Sequence, residues 1–211
     1  MGIDWNKINA VILDLGGVIL NIDYQLTIDA YRNLGFNDFD QQYSKMQQSG
    51  LFDRLEKGQI QPDDYVAAMQ DHLPHATPTQ IIEAWNAMLL DFPQGRVQTV
   101  RRIGERWPTF LLSNTNVIHY KSFTETLRKQ TELSDIKPLF KRAYLSHEIG
   151  MRKPDAEVFQ IILAENQLVP DEVLFVDDSP QHIEGARKLG IQAYHLEEPE
   201  SLEDLFGPFL T

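Results

Sequence analysis

A chain of 211 residues with 42% apolar content is long enough for one good core, or for a core domain with a modest insert. The formal charge of −12 argues against a nucleic-acid backbone as partner, because such binding is driven by basic surface and counterion release. There is no cysteine, so disulfides and thiolate chemistry are excluded and any metal must be held by oxygen or histidine.

No apolar run is long enough to span a bilayer, and the opening MGIDWNKIN lacks the basic-then-apolar layout of a secretory signal. The expectation is a cytoplasmic protein with no membrane partner, monomeric or weakly dimeric. Residues 10–13, AVIL, are short, branched and unbroken by polar groups, as in a strand buried on both faces of a parallel sheet. The run ends at Asp14, and Gly16-Gly17 behind it lets the backbone turn tightly and approach a ligand.

From residue 24 to about 90 only helix-period patterns are present, punctuated by Gly and Pro. They are predicted over 24–34, 39–46, a turn at 51–55, 62–72 with Pro62 at the first helical position, and a segment opened by the capping box Thr77-Pro78-Thr79-Gln80. This is an all-helical insert. Strands then return in alternation with helices, which implies a parallel sheet with crossovers: helix 94–106, strand 109–112, helix 117–130, strand 142–145, helix 156–165, strand 173–176, a helix begun by Pro180 and capped by Ser179, and strand 191–195. The expected fold class is α/β, a Rossmann-like parallel sheet core over 1–20 and 92–211 with a helical cap over 21–91. Hinges fall near 21–23 and 91–95. Ser201 opens a short final helix in an otherwise solvated acidic tail.

Three strands thus end in Asp14, Ser113-Asn114 and Asp177-Asp178, with the Lys153 loop between the last two, so all can meet at one sheet edge. Together these groups describe phosphoryl transfer. An aspartate nucleophile at Asp14 forms an acyl phosphate and splits one hard displacement into two easier ones. Asp14, the Gly16 carbonyl and Asp178 offer hard oxygens for Mg²⁺. Lys153 supplies a point charge to the nucleophile and the equatorial oxygens, while Ser113, Asn114 and nearby N–H groups bind phosphate. Arg152 is expected to point elsewhere. A small phosphorylated metabolite is the expected partner.

The motifs DLGGV at 14–18, LLSNTN at 111–116, GMRKPD at 150–155 and FVDDS at 175–179, in this order and at strand ends, resemble those of the haloacid dehalogenase-like hydrolase superfamily. The resemblance implies a Rossmann-like core with a helical cap after the first motif. It also implies Asp14 as nucleophile, Ser113 as phosphate binder, Lys153 as the lysine of the site, and Asp178 as metal ligand supported by Asp177. Within the superfamily the motifs are most similar to the bacterial sugar-phosphatase branch, including glucose-1-phosphate phosphatases.

One position departs from that pattern. Most phosphatases of the superfamily carry a second aspartate two residues after the nucleophile as general acid; here that position is Gly16. General acid–base help is worth about 10²–10⁴-fold, so good leaving groups such as anomeric or aryl phosphates are expected to be preferred over simple alkyl phosphates. Asp23 reads first as the cap of the helix at Tyr24, with replacement of the missing acid as its alternative role. His119 and His182 fall early in helices near the site; each reads first as a structural histidine and second as a substrate contact or proton shuttle, and His147 follows them. Trp85, Phe39, Tyr43 and Phe52 read as cap packing, with any that face the cleft setting specificity. Two other functions fit less well. Dehalogenation of a 2-haloacid needs no metal, leaving Asp177-Asp178 unexplained beside a substrate carboxylate. A sugar-phosphate-binding or regulatory protein would not require a nucleophile.

Overall fold

The computed structural model describes residues 2–37, 39 and 50–210. Five parallel strands form one sheet: β1 (Ala10–Leu13), β2 (Thr109–Ser113), β3 (Arg142–Leu145), β4 (Val173–Asp177) and β5 (Gln192–His195), in the order β3-β2-β1-β4-β5. The chain builds outward from β1 through β2 to β3, then returns to place β4 on the other side of β1. The strand order therefore reverses between β1 and β4, and in open α/β sheets ligands bind in the crevice outside the carboxyl ends at such a point. β1 sits in the middle because it can be buried on both faces: all four of its residues are fully buried.

The two faces of the sheet carry separate apolar layers, following the two-residue period of a strand. Val11 and Leu13 face one layer, with Val97, Val100 and Ile103 of helix α5 (Gln94–Arg106), Phe123 and Leu127 of α6 (Val117–Gln130), and Leu202 and Phe206 of α10 (Leu202–Phe206). Ala10 and Ile12 face the other layer, with Val158, Phe159 and Ile162 of α8 (Ala156–Asn166) and Ile183 and Ala186 of α9 (Pro180–Arg187). The acidic tail thus buries one face of α10, which Ser201 opens with a reciprocal capping box to Asp204.

Between β1 and β2 lie α1 (Tyr24–Asn33), α2 (Leu51–Glu56), α3 (Pro62–Gln70) and α4 (Pro78–Asn86). They enclose a third apolar cluster of their own, including Tyr31, Phe39, Phe52, Tyr65, Ile81 and Trp85, which also takes in Ile118 from the first turn of α6. The helix signals act as read: Asp23 accepts from Gln25 N at 2.8 Å, and Thr77 and Gln80 form the capping box. The predicted helix over 39–46 lies, apart from Phe39, outside the described residues, as does Tyr43. The turn at 51–55 is a helix reaching Glu56.

Two local features differ from the expectation. The segments entering and leaving the helical insert pair with each other. Ile22 and Leu89 form an antiparallel bridge, Asn21 N donates to Asp91 O at 2.9 Å, and Leu90 N donates to Asn21 O at 3.0 Å. Such pairing joins residues 67 to 70 apart and leaves no periodic trace in a local window. A short helix, α7 (Ser146–Ile149), also follows β3, closed by Gly150 in the left-handed region. Four residues are too few for helical periodicity to be visible.

Candidate active site

The sheet edge brings Asp14, Ser113, Lys153, Asp177 and Asp178 together. Asp14 directly follows β1, and its N–H donates to Val176 O at 3.0 Å, extending the β1–β4 pairing by one step. Its side chain turns back so that Oδ1 accepts from Leu15 N at 2.7 Å. Lys153, which is completely buried, reaches in from the loop after α7. Its Nζ lies 2.7 Å from Asp14 Oδ1 and 2.6 Å from Asp177 Oδ2. One buried cation is thus shared by two carboxylates on adjacent strands.

This sharing sets the ionisation of the group. Burial pushes the Asp14 carboxyl well above the usual range, the Lys153 charge pulls it down, and the nearby Asp177 and Asp178 carboxylates push it up again. Burial alone would lower Lys153, but Asp14 and Asp177 raise it, so the ammonium form is retained. For Asp177, burial opposes ionisation, yet Lys153 and His182 overcome it and the carboxyl is held well below its usual range. Asp178 is raised by burial and by Asp177.

Asp14, Asp177 and His182 offer ligand atoms within 4.8 Å of one another. Asp177, however, already meets donors on both oxygens: Oδ2 takes Lys153 Nζ, while Oδ1 takes Ser179 N at 2.8 Å and His182 Nδ1 at 2.9 Å. The chemistry of the donor set therefore points to Asp14 and Asp178 as the carboxylates for a hard cation, with Asp177 supporting Lys153. The Asp178 carboxylate closes over Gly17, where a Cβ would stand 2.1 Å from Asp178 Oδ2 at a backbone φ of +72°. Only glycine fits there, so the second glycine of the motif is explained by space for Asp178 as well as by the turn.

Two sequence expectations are revised. Ser179 makes no side-chain cap on α9; its N–H is used on Asp177, and the carboxylate preceding the helix takes the place of a cap. The Asn114 side chain is not free for substrate. Its Nδ2 donates to Lys153 O and its Oδ1 accepts from Lys153 N, both at 2.9 Å, so it clamps the backbone that carries the lysine. Arg152 points away from phosphate chemistry to α2, 3.2 Å from Asp53 and 3.1 Å from Glu56, although it lines the same cavity.

That cavity, of about 910 Å³, runs from Asp14, Gly16, Ser113 and Asp178 up to Thr27, Ile28, Phe52 and Met88 on the helical insert. The Ser113 hydroxyl has no partner among the described residues and borders the cavity beside Asp14. His119 borders it too. The ring stacks on Trp85 at 4.9 Å, its Nε2 faces Trp85 O at 3.1 Å, and burial lowers its pKa to about 4. His119 is therefore neutral. His182 lines the cavity while held by Asp177, Trp85 packs inside the insert, and Phe39 and Phe52 serve both the packing and the cavity wall. Glu56 was missed by sequence reasoning, because a glutamate ending a short surface helix carries no local mark of facing a cleft.

A solved structure described as a haloacid dehalogenase (HAD) family enzyme from Bacteroides thetaiotaomicron is 30% identical, covers 94% of this chain and 98% of its own, and superposes with a TM-score of 0.86. The chain belongs to the HAD family of hydrolases. A family profile described as haloacid dehalogenase-like hydrolase matches residues 121–195. A further HAD structure, the wild-type form from B. thetaiotaomicron in complex with magnesium and inorganic phosphate, is 31% identical over 94% of this chain and 99% of its own, with a TM-score of 0.83. Among characterised relatives, D-ribitol-5-phosphate phosphatase of B. thetaiotaomicron is 28% identical over 200 residues, 93% of this chain and 94% of its own. The five-stranded parallel sheet with surrounding helices is the Rossmann-like fold of HAD hydrolases. Among the described residues, no helix is long and apolar enough to cross a membrane.

Proposed function

We propose that this protein is a Mg²⁺-dependent phosphatase of small phosphomonoesters, sugar phosphates in particular, working through an aspartyl-phosphate at Asp14. The observation that carries the reading is the buried lysine shared between Asp14 and Asp177 at 2.7 and 2.6 Å, with Asp14 lining a cavity also bordered by Ser113 and Asp178. The similarity to D-ribitol-5-phosphate phosphatase supports the substrate class. Residues 1–20 and 92–211 act as the catalytic core and 21–91 as the cap that covers the substrate.

Asp14, the Gly16 carbonyl and Asp178 would hold Mg²⁺, which when bound neutralises the repulsion between carboxylate and phosphate. Lys153 favours the ionised form of Asp14 against its burial and donates to the equatorial oxygens as charge spreads onto them. The Ser113 hydroxyl donates to the same oxygens. Asn114 fixes the Lys153 backbone, so the ammonium is placed before substrate arrives. The cap excludes water from the covered cavity.

Within this class we assign an anomeric phosphate such as glucose 1-phosphate as substrate, because Gly16 carries no acid and the anomeric oxygen, which departs more readily than a primary alkoxide, depends least on one supplied from elsewhere in the site. The test is phosphate release from glucose 1-phosphate and glucose 6-phosphate, with Mg²⁺ or chelator, for wild type and Asp14→Asn. Metal-dependent release, lost in the variant and faster for the 1-phosphate, is expected. Faster turnover of the 6-phosphate would overturn the assignment of substrate, and release that survives Asp14→Asn would overturn the mechanism.

A further inference from the structure

An alkyl or aryl phosphate leaves as an oxyanion that needs a proton, and the group beside the nucleophile cannot give one. Gly16 has no side chain, and a Cβ there would already press on Ile22 Cδ1 at 3.1 Å. Several other titratable groups around the cavity already have partners or assigned roles. Asp14 and Asp178 are assigned to phosphorus and metal. Asp177 takes donors on both oxygens and holds the His182 ring through Nδ1. The His119 Nε2 faces the Trp85 carbonyl. Asp53 accepts a hydrogen bond from Arg152 Nη1 at 3.2 Å and is also paired with Lys57 at 3.2 Å.

We propose that Glu56, the last residue of α2, is the general acid and base of this site, delivered from the helical insert that shares the cavity with Asp14. Glu56 borders the same cavity as Asp14, with only 21% of its side chain exposed. Its buried Oε2 has no hydrogen bond among the described residues, although Arg152 Nη2 stands 3.1 Å away as an ion-pair contact. A carboxyl so placed is badly solvated as an anion and has a cation ready beside it for the moment it becomes one. Burial and the Asp53 charge raise its affinity for a proton, against Arg152, Lys153 and Lys57. The elements packed on α2 add His147 and Glu148 of α7 and Asp63 and Asp64 of α3; Glu148 is itself paired with Lys137 at 2.7 Å.

The assignment rests on the phosphatase reading above. In the first half-reaction an Asp14 oxygen bonds to phosphorus, the bond from phosphorus to the leaving oxygen breaks, and Glu56 gives that oxygen its proton, leaving a carboxylate beside Arg152. In the second, the Glu56 carboxylate takes a proton from water as the water oxygen bonds to phosphorus. The bond from phosphorus to Asp14 then breaks, which releases inorganic phosphate and restores both side chains.

Phenyl phosphate and p-nitrophenyl phosphate have nearly the same shape but differ in how much their leaving oxygen needs a proton. With Mg²⁺ present, Glu56→Gln is expected to lose about 10²-fold in kcat/KM on phenyl phosphate and less than about tenfold on p-nitrophenyl phosphate. Glu56→Asp, which keeps an acid, should recover part of the phenyl phosphate activity. Equal losses on both esters, or none on either, would overturn the role of Glu56. Failure of the wild type to release phosphate from either ester would instead count against the phosphatase reading, and the assignment of Glu56 would fall with it.

Discussion

The Lys153 ammonium stands 2.6 Å from Asp177 Oδ2, with both side chains fully withdrawn from solvent. Asp177 is also the acceptor for Ser179 N and His182 Nδ1, so one carboxylate ties the lysine to the start of α9. Replacing Asp177 with Asn sets an amide against the ammonium and leaves Asp14 as its close counter-ion among the described residues. Breaking a buried pair in this way costs about 3–5 kcal/mol. Urea unfolding of Asp177→Asn at neutral pH is expected to show a loss of that order, alongside a fall in kcat. The sign with pH follows from the lowered Asp177 pKa: the stabilisation is complete above the ordinary value of 3.8 and is lost as pH falls through the lower folded value.

Asp14 has the opposite character. Burial and its two acidic neighbours raise its pKa, so the ionised form is a cost to the fold at neutral pH. Asp14→Asn is therefore expected to abolish phosphate release while leaving the metal-free melting temperature unchanged or higher. The added stability that Mg²⁺ confers on the wild type should shrink in the same variant. A clear drop in the metal-free melting temperature would contradict this account of Asp14.

Gly17 can be tested through the metal. Its φ of +72° and the 2.1 Å approach of Asp178 Oδ2 to a built Cβ mean that Gly17→Ala must displace the Asp178 carboxylate. Disturbing a group that orients a metal site costs about 10–100-fold in metal affinity. The Mg²⁺ concentration for half-maximal activity, measured by titration, should rise by that factor, with a smaller change in the KM for the phosphate ester.

His119 gives the molecule an acid-sensitive point. Its folded pKa of about 4 lies below the ordinary 6.5, so stability is complete above pH 6.5 and is lost as pH falls toward 4. A shift of this size corresponds to about 3 kcal/mol across the window. Denaturant unfolding of the wild type between pH 7 and 4 should show that decline, and His119→Gln, which keeps a donor for Trp85 O, should flatten it.

Much of this protein is legible in its sequence because the relevant physics is local. A four-residue apolar run ending in Asp14 marks a doubly buried strand, Asp23 and Thr77 announce their helices, and the order of strand-end motifs gives the parallel sheet and the family. The five strands and the helices of the core follow from period and punctuation, which act over a few residues at a time. Those signals also name Asp14, Ser113, Lys153 and Asp178 as one chemical group.

What only the tertiary structure decides is how those groups divide the work, since side-chain partners tens of residues apart leave no periodic signal. Nothing local shows that both amide atoms of Asn114 are used on the Lys153 backbone, or that Asp177 and not Asp178 receives the lysine. Nor does it show that Arg152 crosses to Asp53 and Glu56, which lie about a hundred residues earlier in the chain. The residue types set which chemistry was available; the packing of the helical insert over the sheet edge determined which side chains were left free to perform it.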